Sequence, residues 1–399
     1  MTITTTPRAE AVAICPIVCE PPTSGGAKRT LRLLEALERT GLVPHVVTAD
    51  TSRPAGVAAL RARGWAVDVL PAPEPTLPAR LGQHTRRRPS PFLHDVDARV
   101  RELDALQTTR LILVEQTLST YYAGPHLGTP WVFSTHNVDG QALGTVAQTL
   151  RPGTPAWLRA RNLAHEAAVT ERRAARRADG VLCVSEPDAR HFAALGADPV
   201  VVAPNGVDDE LFTVVPAPPD GARVLFFGRM DYAPNAIGLL RFAREAWPRV
   251  AAARPDAELA VVGAGLAGVA ADELRALPGV RVMGEVEDLR AEIAAAQLTV
   301  VPIWQGGGTR LKVLESLAAA RPVLGTELGV GGVGFRDGVH GRLAEEPAGL
   351  ADAAIAMLAE PEATARLGAQ GRALAEAFRW ATATAPAAAL FARLASGRG

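Results

Sequence analysis

One rhythm repeats along most of the 399 residues: a short apolar run, then a glycine-rich or polar turn, then a segment rich in Ala, Leu and Arg. Strands that alternate with helices in this way form a parallel sheet that is covered by helices on both faces. We therefore predict that the first half is a doubly wound α/β unit. Its strand candidates are AVAICPIV, VPHVVTAD, WAVDVLPA, RLILVEQ, PWVFSTH, GVLCVSE and PVVVAPNGV.

A second unit of the same kind is predicted after a break. Residues 213–221, TVVPAPPDG, have the proline-rich composition of a linker. The rhythm then restarts with VLFFGR, ELAVVGAG, VRVMGEV, LTVVPI and PVLGTE. The chain is also longer than one hydrophobic core usually serves. We predict an N-terminal domain at 1–212, a linker at 213–221, a C-terminal domain at 222–378, and a helix in 379–399 that can cross back to the N-terminal domain.

Composition excludes several classes of protein. The chain has 42 basic and 42 acidic residues, without the basic excess typical of nucleic-acid binding. The longest run without a charged residue or a histidine, 293–309, contains Gln, Pro and three consecutive glycines, so no transmembrane segment is expected. The N-terminus lacks a signal-peptide core. The three cysteines, Cys15, Cys19 and Cys183, fit neither a disulfide framework nor a zinc site. We expect a cytoplasmic protein, and peripheral membrane contact stays open.

The strongest motif is GGGTRLKVLESLAAARPVLGT at 306–326. Its glycines follow a predicted strand and open a helix, where backbone amides form an anion site. Arg310 and Lys312 add positive charge that suits a diphosphate. Lys312 and Glu315 share one helix face, because they are three residues apart. The alternative is a glycine-rich turn followed by a surface Lys–Glu pair.

From residue 204 to 326 the sequence resembles glycosyltransferase family 4, in particular a subgroup with MDYxPN and GGGTRLK motifs. The stretches that carry the resemblance are NGVDDELF, FFGRMDYAPN, AVVGAG, GEVEDLRAEIAAAQLTVVPI and the glycine motif. The N-terminal half agrees more loosely, through PPTSGGAKR, THN and RRADGVLCVSE. The resemblance implies a GT-B fold, with two Rossmann-like domains that face each other across a cleft. It also implies a retaining enzyme that needs no metal and no cofactor, and that takes a UDP- or GDP-type sugar as donor.

The resemblance assigns roles in the C-terminal half by position. Glu315 matches the acidic residue that holds the ribose hydroxyls, and Arg229 matches the arginine that neutralises the diphosphate. The family's partner lysine is replaced by Asn235 here, and Lys312, helped by Arg310, is our candidate replacement. We expect Arg229 and Lys312 to be catalytic.

Two further parts of the donor site follow from the same resemblance. The family often has a second glutamate eight positions before the ribose-binding one, where this chain has Gly307. Contacts to the donor sugar are therefore expected from the backbone of Gly307, Gly308 and Thr309. Glu285 and Val286 match the loop that packs against the base.

In the N-terminal half, Gly25 and Gly26 lie between the first strand and the first helix, where they can form a second backbone cradle or a plain turn. His136, after PWVF, matches the family's catalytic histidine in the cleft, although a lone histidine is often structural. Glu115 ends LILVE and could face the acceptor, or serve as a helix cap or polar core residue. The basic runs 86–88 and 172–177 indicate solvated faces or contacts with anionic lipid or acceptor.

The resemblance implies that the leaving phosphate oxygen takes the acceptor's proton, so no protein nucleophile is needed. The pathway is expected to be secondary-metabolite or cell-surface glycan biosynthesis. A sugar-nucleotide epimerase, a phosphorylase and an inactive binding subunit remain alternatives; Gly307 and Asn235 favour the last, whereas Arg229, Lys312 and Glu315 oppose it. A dehydrogenase is disfavoured, because the first turn lacks GxGxxG and the lookalike at 261–268 lies in the second half.

Overall fold

The computed structural model describes residues 10–70, 91–105, 108–119, 128–215, 222–306 and 311–397. The chain forms two compact units, the first from residues 1–204 together with 384–399, and the second from 205–383. The first unit thus ends at Pro204, whereas the sequence analysis placed its end at residue 212. The reason is packing, because Val207 and Leu211 are buried in the core of the second unit.

The first unit is a seven-stranded sheet in the order β3-β2-β1-β4-β5-β6-β7, and every neighbouring pair is parallel. Its strands are β1 (Glu10–Cys15), β2 (Val43–Thr48), β3 (Ala66–Val69), β4 (Thr109–Glu115), β5 (Trp131–Ser134), β6 (Gly180–Cys183) and β7 (Val200–Val202). The helices before its last strand are α1 (Gly25–Arg39), α2 (Pro54–Ala62), α3 (Pro91–Ala105), α4 (Gln116–Ser119), α5 (Asp139–Thr149), α6 (Pro155–Ala175) and α7 (Glu186–Ala194).

The second unit is a six-stranded parallel sheet in the order β10-β9-β8-β11-β12-β13. Its strands are β8 (Ala222–Phe227), β9 (Ala257–Val262), β10 (Val280–Gly284), β11 (Leu298–Val301), β12 (Val323–Gly325) and β13 (Gly341–Leu343). Its helices are α8 (Ala233–Glu245), α9 (Trp247–Ala253), α10 (Val269–Arg275), α11 (Leu289–Ala295), α12 (Leu311–Ala318), α13 (Glu327–Val330), α14 (Pro347–Ala359), α15 (Pro361–Ala375) and α16 (Trp380–Ala383). Two 3-10 turns, Asp209–Thr213 and Glu376–Phe378, complete it.

The last helix, α17 (Ala385–Ser396), belongs to the first unit. Its Leu390 and Phe391 are buried in the same apolar cluster as Leu33 and Leu37 of α1. Each sheet has one buried apolar cluster on either face. Burial on both faces explains why the strands read as continuous apolar runs rather than as alternating ones.

The order of the strands reverses at one point in each sheet, between β1 and β4 in the first and between β8 and β11 in the second. In open parallel sheets, ligands bind beyond the carboxyl ends of the strands at such a reversal. Gly25 and Gly26 follow β1, Glu115 ends β4 and Arg229 follows β8, whereas His136 follows β5 and Glu285 follows β10. Among the described helices, none combines the length and the apolar composition that crossing a bilayer requires.

Candidate functional site

The carboxyl ends of β4 and β5 bring Glu115 and His136 together. Nε2 of His136 lies 2.9 Å from Oε2 of Glu115, and the hydroxyl of Thr30 on α1 donates to the same oxygen at 2.7 Å. Glu115 is fully buried, whereas 15% of the His136 side chain is exposed. Burial favours the neutral acid, but the hydrogen bond from His136 and the charge of Arg29 hold the pKa of Glu115 below its usual value. Glu115 is thus an ionised internal partner of the histidine.

Gly26 lies against the other side of the same imidazole. A methyl group in place of its hydrogen would lie 3.3 Å from Nδ1 of His136, so a larger residue would crowd the ring. Gly25 and Gly26 form the first turn of α1, which Ser24 caps by accepting a hydrogen bond from the amide of Ala27 at 3.3 Å. Because Nε2 faces a carboxylate, it carries the proton, and Nδ1 is left as the acceptor near these glycines.

Thr30 and Arg29 on α1, which the sequence analysis missed, also contribute to this cluster. Thr30 holds Glu115, and Arg29 is buried and donates to the carbonyl oxygen of Ala203 at 2.7 Å. Burial lowers the pKa of Arg29, while the charge of Glu115 opposes that shift. The signal lay in AKRT, directly after the glycines, because consecutive polar residues on a buried helix face need internal partners.

A second buried carboxylate holds the loop that follows His136. Glu171 on α6 accepts a hydrogen bond from the amide of Asp139 at 2.6 Å and contacts the amide of Gly140, so it caps the N-terminus of α5. Burial and, secondly, the carboxylate of Asp139 raise the pKa of Glu171 to about 7. This group therefore titrates near neutrality.

In the second unit, Lys312 on α12 lies beside the residue that replaces the family's lysine. Nζ of Lys312 donates to Oδ1 of Asn235 at 2.8 Å and lies 4.4 Å from the ring centroid of Phe226. Nδ2 of Asn235 donates in turn to the carbonyl oxygen of Arg229 at 2.7 Å. Lys312 and Asn235 are each 8% exposed. The structure thus brings the Lys312 ammonium to the Asn235 side chain and the Arg229 backbone.

Two glycines make room for this arrangement. Gly228 has a φ of +143°, and a methyl group there would lie 2.9 Å from Nζ of Lys312. At Gly263, after β9, a methyl group would lie 1.9 Å from the carbonyl oxygen of Gly228, which no side chain could tolerate. The GxGxxG lookalike at 261–268 therefore contains a glycine that lets two backbone segments approach each other.

Arg229 differs from Lys312 in its exposure. Its side chain is 46% exposed and pairs with Asp231, with Nε 3.0 Å from Oδ1. The hydrogen bond from Arg229 holds the pKa of Asp231 below its usual value. An exposed ion pair of this kind contributes little stability, so the guanidinium can exchange Asp231 for a ligand phosphate at small cost.

The remaining predicted donor residues have the following positions. Glu315 is 8% exposed, one helix turn beyond Lys312 on α12. Glu285 is exposed and Val286 half-buried, after β10. Gly307, Gly308, Thr309 and Arg310 lie outside the described residues, and so does the basic run 86–88. Within the described ranges, no group of three or more His, Cys, Asp and Glu side chains could hold a metal ion.

Family models match both halves of the chain. A model described as Glycosyltransferase Family 4 matches residues 23–211, and one described as Glycosyl transferases group 1 matches residues 221–360. The chain thus carries two glycosyltransferase domains, the first matched by the family 4 model and the second by the group 1 model. The phosphatidyl-myo-inositol mannosyltransferase of Mycobacterium leprae is 30% identical over 215 residues, which cover 50% of this chain and 55% of that protein. The match thus spans about half the length of this curated relative.

Solved structures share the fold over nearly the whole chain. Sucrose-phosphate synthase from Thermosynechococcus elongatus superposes with a TM-score of 0.72 at 19% identity, covering 97% of this chain and 100% of that one. The Anabaena protein HepE, in complex with UDP and glucose, gives a TM-score of 0.69 at 17% identity, with coverages of 96% and 100%. These likenesses confirm the predicted fold class, α/β of the GT-B type.

Proposed function

We propose that this chain transfers a sugar from a nucleotide-diphosphate sugar to an acceptor hydroxyl, with retention of configuration and without a metal ion. The observation that carries the proposal is the position of Lys312, whose ammonium lies between Asn235 and Phe226 where β8 ends. The family models in both halves and the UDP bound to a protein of the same fold support it.

Lys312 supplies the charge that the family usually places at position 235. Its Nζ reaches within 2.8 Å of the Asn235 side chain, so a cation is present there although residue 235 itself is neutral. A fixed cation stabilises the charge that grows on the diphosphate as the glycosidic bond breaks, without a metal ion. Arg229, exposed and adjacent, adds a second cation once a phosphate displaces Asp231.

Glu315 is proposed to accept hydrogen bonds from the two ribose hydroxyls. It lies on the same helix face as Lys312, since the two residues are three positions apart in the sequence. One helix then holds both the diphosphate and the ribose. In this arrangement Glu285 and Val286 pack against the base, and the backbone at residues 307–309 contacts the donor sugar.

In the first unit, His136 is proposed to orient the sugar with Nδ1, because its other nitrogen is bonded to Glu115. The leaving phosphate oxygen takes the proton of the acceptor hydroxyl as the new bond forms on the same sugar face. A protein nucleophile is then unnecessary. The residues of the chain then only have to orient the donor and the acceptor and to stabilise the charge on the leaving diphosphate.

Calorimetry with UDP and with GDP, in the presence of a chelator, tests the donor site. We expect binding of one nucleotide to persist, and complete loss of binding on chelation would contradict metal independence. Mass-spectrometric detection of released nucleotide diphosphate, across a panel of donor sugars with acceptor extracts, then tests the reaction. Isomerisation of a donor without acceptor would indicate the epimerase, and binding without turnover would indicate an inactive subunit.

A further inference from the structure

The helical hairpin of α5 and α6 concentrates positive charge in a chain whose net charge is zero. Residues 139–177 contain seven arginines, no lysine, two glutamates and one aspartate, Asp139, which is half-buried. All seven arginines are exposed, whereas Glu171 is buried and Glu166 is half-buried, where it accepts a hydrogen bond from Asn162 at 2.9 Å. The outer surface of the hairpin is therefore almost purely cationic. The arginines are Arg151, Arg159, Arg161, Arg172, Arg173, Arg176 and Arg177.

Large apolar side chains are exposed among these arginines. Leu158 is 57% exposed, Leu163 42% and Val146 48%, and all three lie on the hairpin. Exposed aliphatic residues are unremarkable singly, but three of them on one basic hairpin form a mixed surface. Trp157 adds an amphipathic ring, over which Arg161 lies at 4.7 Å from the centroid.

The arrangement along α6 favours a flat partner. At 3.6 residues per turn, Leu158, Arg159, Arg173 and Arg176 fall within an arc of about 100°. The 21 residues of α6 extend over about 30 Å, with arginines near both ends. One side of α6 thus presents a leucine and an arginine near its start and arginines near its end.

We propose that this hairpin docks on an anionic lipid bilayer, with α6 lying in the plane of the headgroups. Helices that lie in the interface combine basic residues with apolar side chains that reach the acyl chains, and this hairpin exposes both arginines and leucines. A polyanion such as nucleic acid would use the arginines but would leave the exposed leucines in water. Charge and apolar exposure together favour the lipid surface.

The three natural cysteines make a direct test practical. Cys15, Cys19 and Cys183 are all buried, and burial raises the pKa of the thiols of Cys19 and Cys183 to about 12. A cysteine introduced by Leu158→Cys can therefore be labelled selectively with an environment-sensitive fluorophore. We expect its emission to shift to the blue with vesicles that contain phosphatidylglycerol, and not with pure phosphatidylcholine. The matched control is Val269→Cys in the second unit, 84% exposed and outside the hairpin.

Co-sedimentation with the same vesicles separates the two contributions. Arg159→Glu/Arg173→Glu should reduce the bound fraction by at least twentyfold, since each arginine near an anionic surface contributes about fivefold. Leu158→Ser/Leu163→Ser should weaken binding at high salt, where charge attraction is screened. The control Arg249→Glu/Arg275→Glu alters two exposed arginines of the second unit and should bind like wild type.

Three results would overturn the proposal. In the first, the wild-type chain binds none of the vesicles. In the second, it binds vesicles but the hairpin variants bind them equally well. In the third, the hairpin binds RNA and does not bind vesicles. Circular dichroism checks that each variant is folded, which we expect because all the substituted side chains are exposed. A loss of binding by a folded variant then reports on the surface of the hairpin.

Discussion

The two sheets hold their functional side chains in opposite ways. In the first unit, hydrogen bonds between side chains hold the site: Glu115 fixes His136, and Thr30 fixes Glu115. In the second unit, an amide oxygen and a ring face hold Lys312, with Gly228 leaving the space for its ammonium.

The difference matches the role that is proposed for each side chain. A histidine that orients a neutral sugar needs a fixed tautomer, and a buried carboxylate supplies it. A lysine proposed to meet a diphosphate has to hold its ammonium at a fixed place, which the Asn235 oxygen and the Phe226 ring provide. The arrangement in the first unit fixes the orientation of the imidazole, and the arrangement in the second unit fixes the position of the ammonium.

The largest effect is expected at Lys312. Lys312→Met should lower turnover about a hundredfold or more and weaken donor binding less, because the phosphate charge grows toward the transition state. The sharper test adds Asn235→Lys to that variant, which restores an ammonium beside the same position. Recovery of turnover in the double variant would support the proposal that Lys312 supplies the positive charge that the family usually places at position 235. A near-wild-type Lys312→Met enzyme would move the role to Arg310 or elsewhere.

Glu315 should give the next largest effect. Glu315→Gln should weaken nucleotide binding by about 1–3 kcal/mol, as loss of a charge-assisted hydrogen bond does. The 2′-deoxyribose nucleotide serves as the control in calorimetry, since its affinity should change little. Equal losses for both nucleotides would assign Glu315 a structural role.

Glu115→Gln tests the other arrangement. The amide keeps the shape and one acceptor oxygen but removes the charge, so we expect about a tenfold loss in turnover with little change in KM for the donor. Thr30→Val, which removes only the supporting hydroxyl, should cost less. Measured kinetics in which KM rises and turnover stays constant would contradict an orienting role.

The smallest effect concerns the pH dependence of stability through Glu171. Its pKa is about 7 in the folded chain, above the value of about 4.3 for an unfolded glutamate. Its contribution is therefore fully present below about pH 4.3 and is lost as the pH rises through 7. Wild type should lose thermal stability relative to Glu171→Gln between pH 5 and pH 8, on the order of a few degrees. A difference in melting temperature between wild type and Glu171→Gln that stays constant over this pH range would show that Glu171 does not titrate within it.

The sequence predicted the strands well, because strands buried on both faces appear as uninterrupted apolar runs. It also placed His136 directly after a strand, and it placed Gly26 between the first strand and the first helix, whereas that helix already begins at Gly25. It could not pair Glu115 with Thr30, which is 85 residues away, or Glu171 with Asp139, which is 32 residues away. No local pattern encodes such contacts, since only the assembled sheet creates them. The boundary was misplaced for a similar reason: proline marks exposed chain, whereas the packing of Val207 and Leu211 decides which unit they join.

The return of α17 to the first unit has a consequence for the order in which the protein can be made. Leu390 and Phe391 fill part of the first unit's core, and Leu390 packs against Gly180. They emerge from the ribosome only after all of the second unit, a delay of about 10–35 s at ordinary rates of synthesis. The nascent first unit meanwhile exposes an apolar surface, whereas the second unit is continuous and can close at once. Chaperone dependence during translation should accordingly fall on the half that is synthesised first.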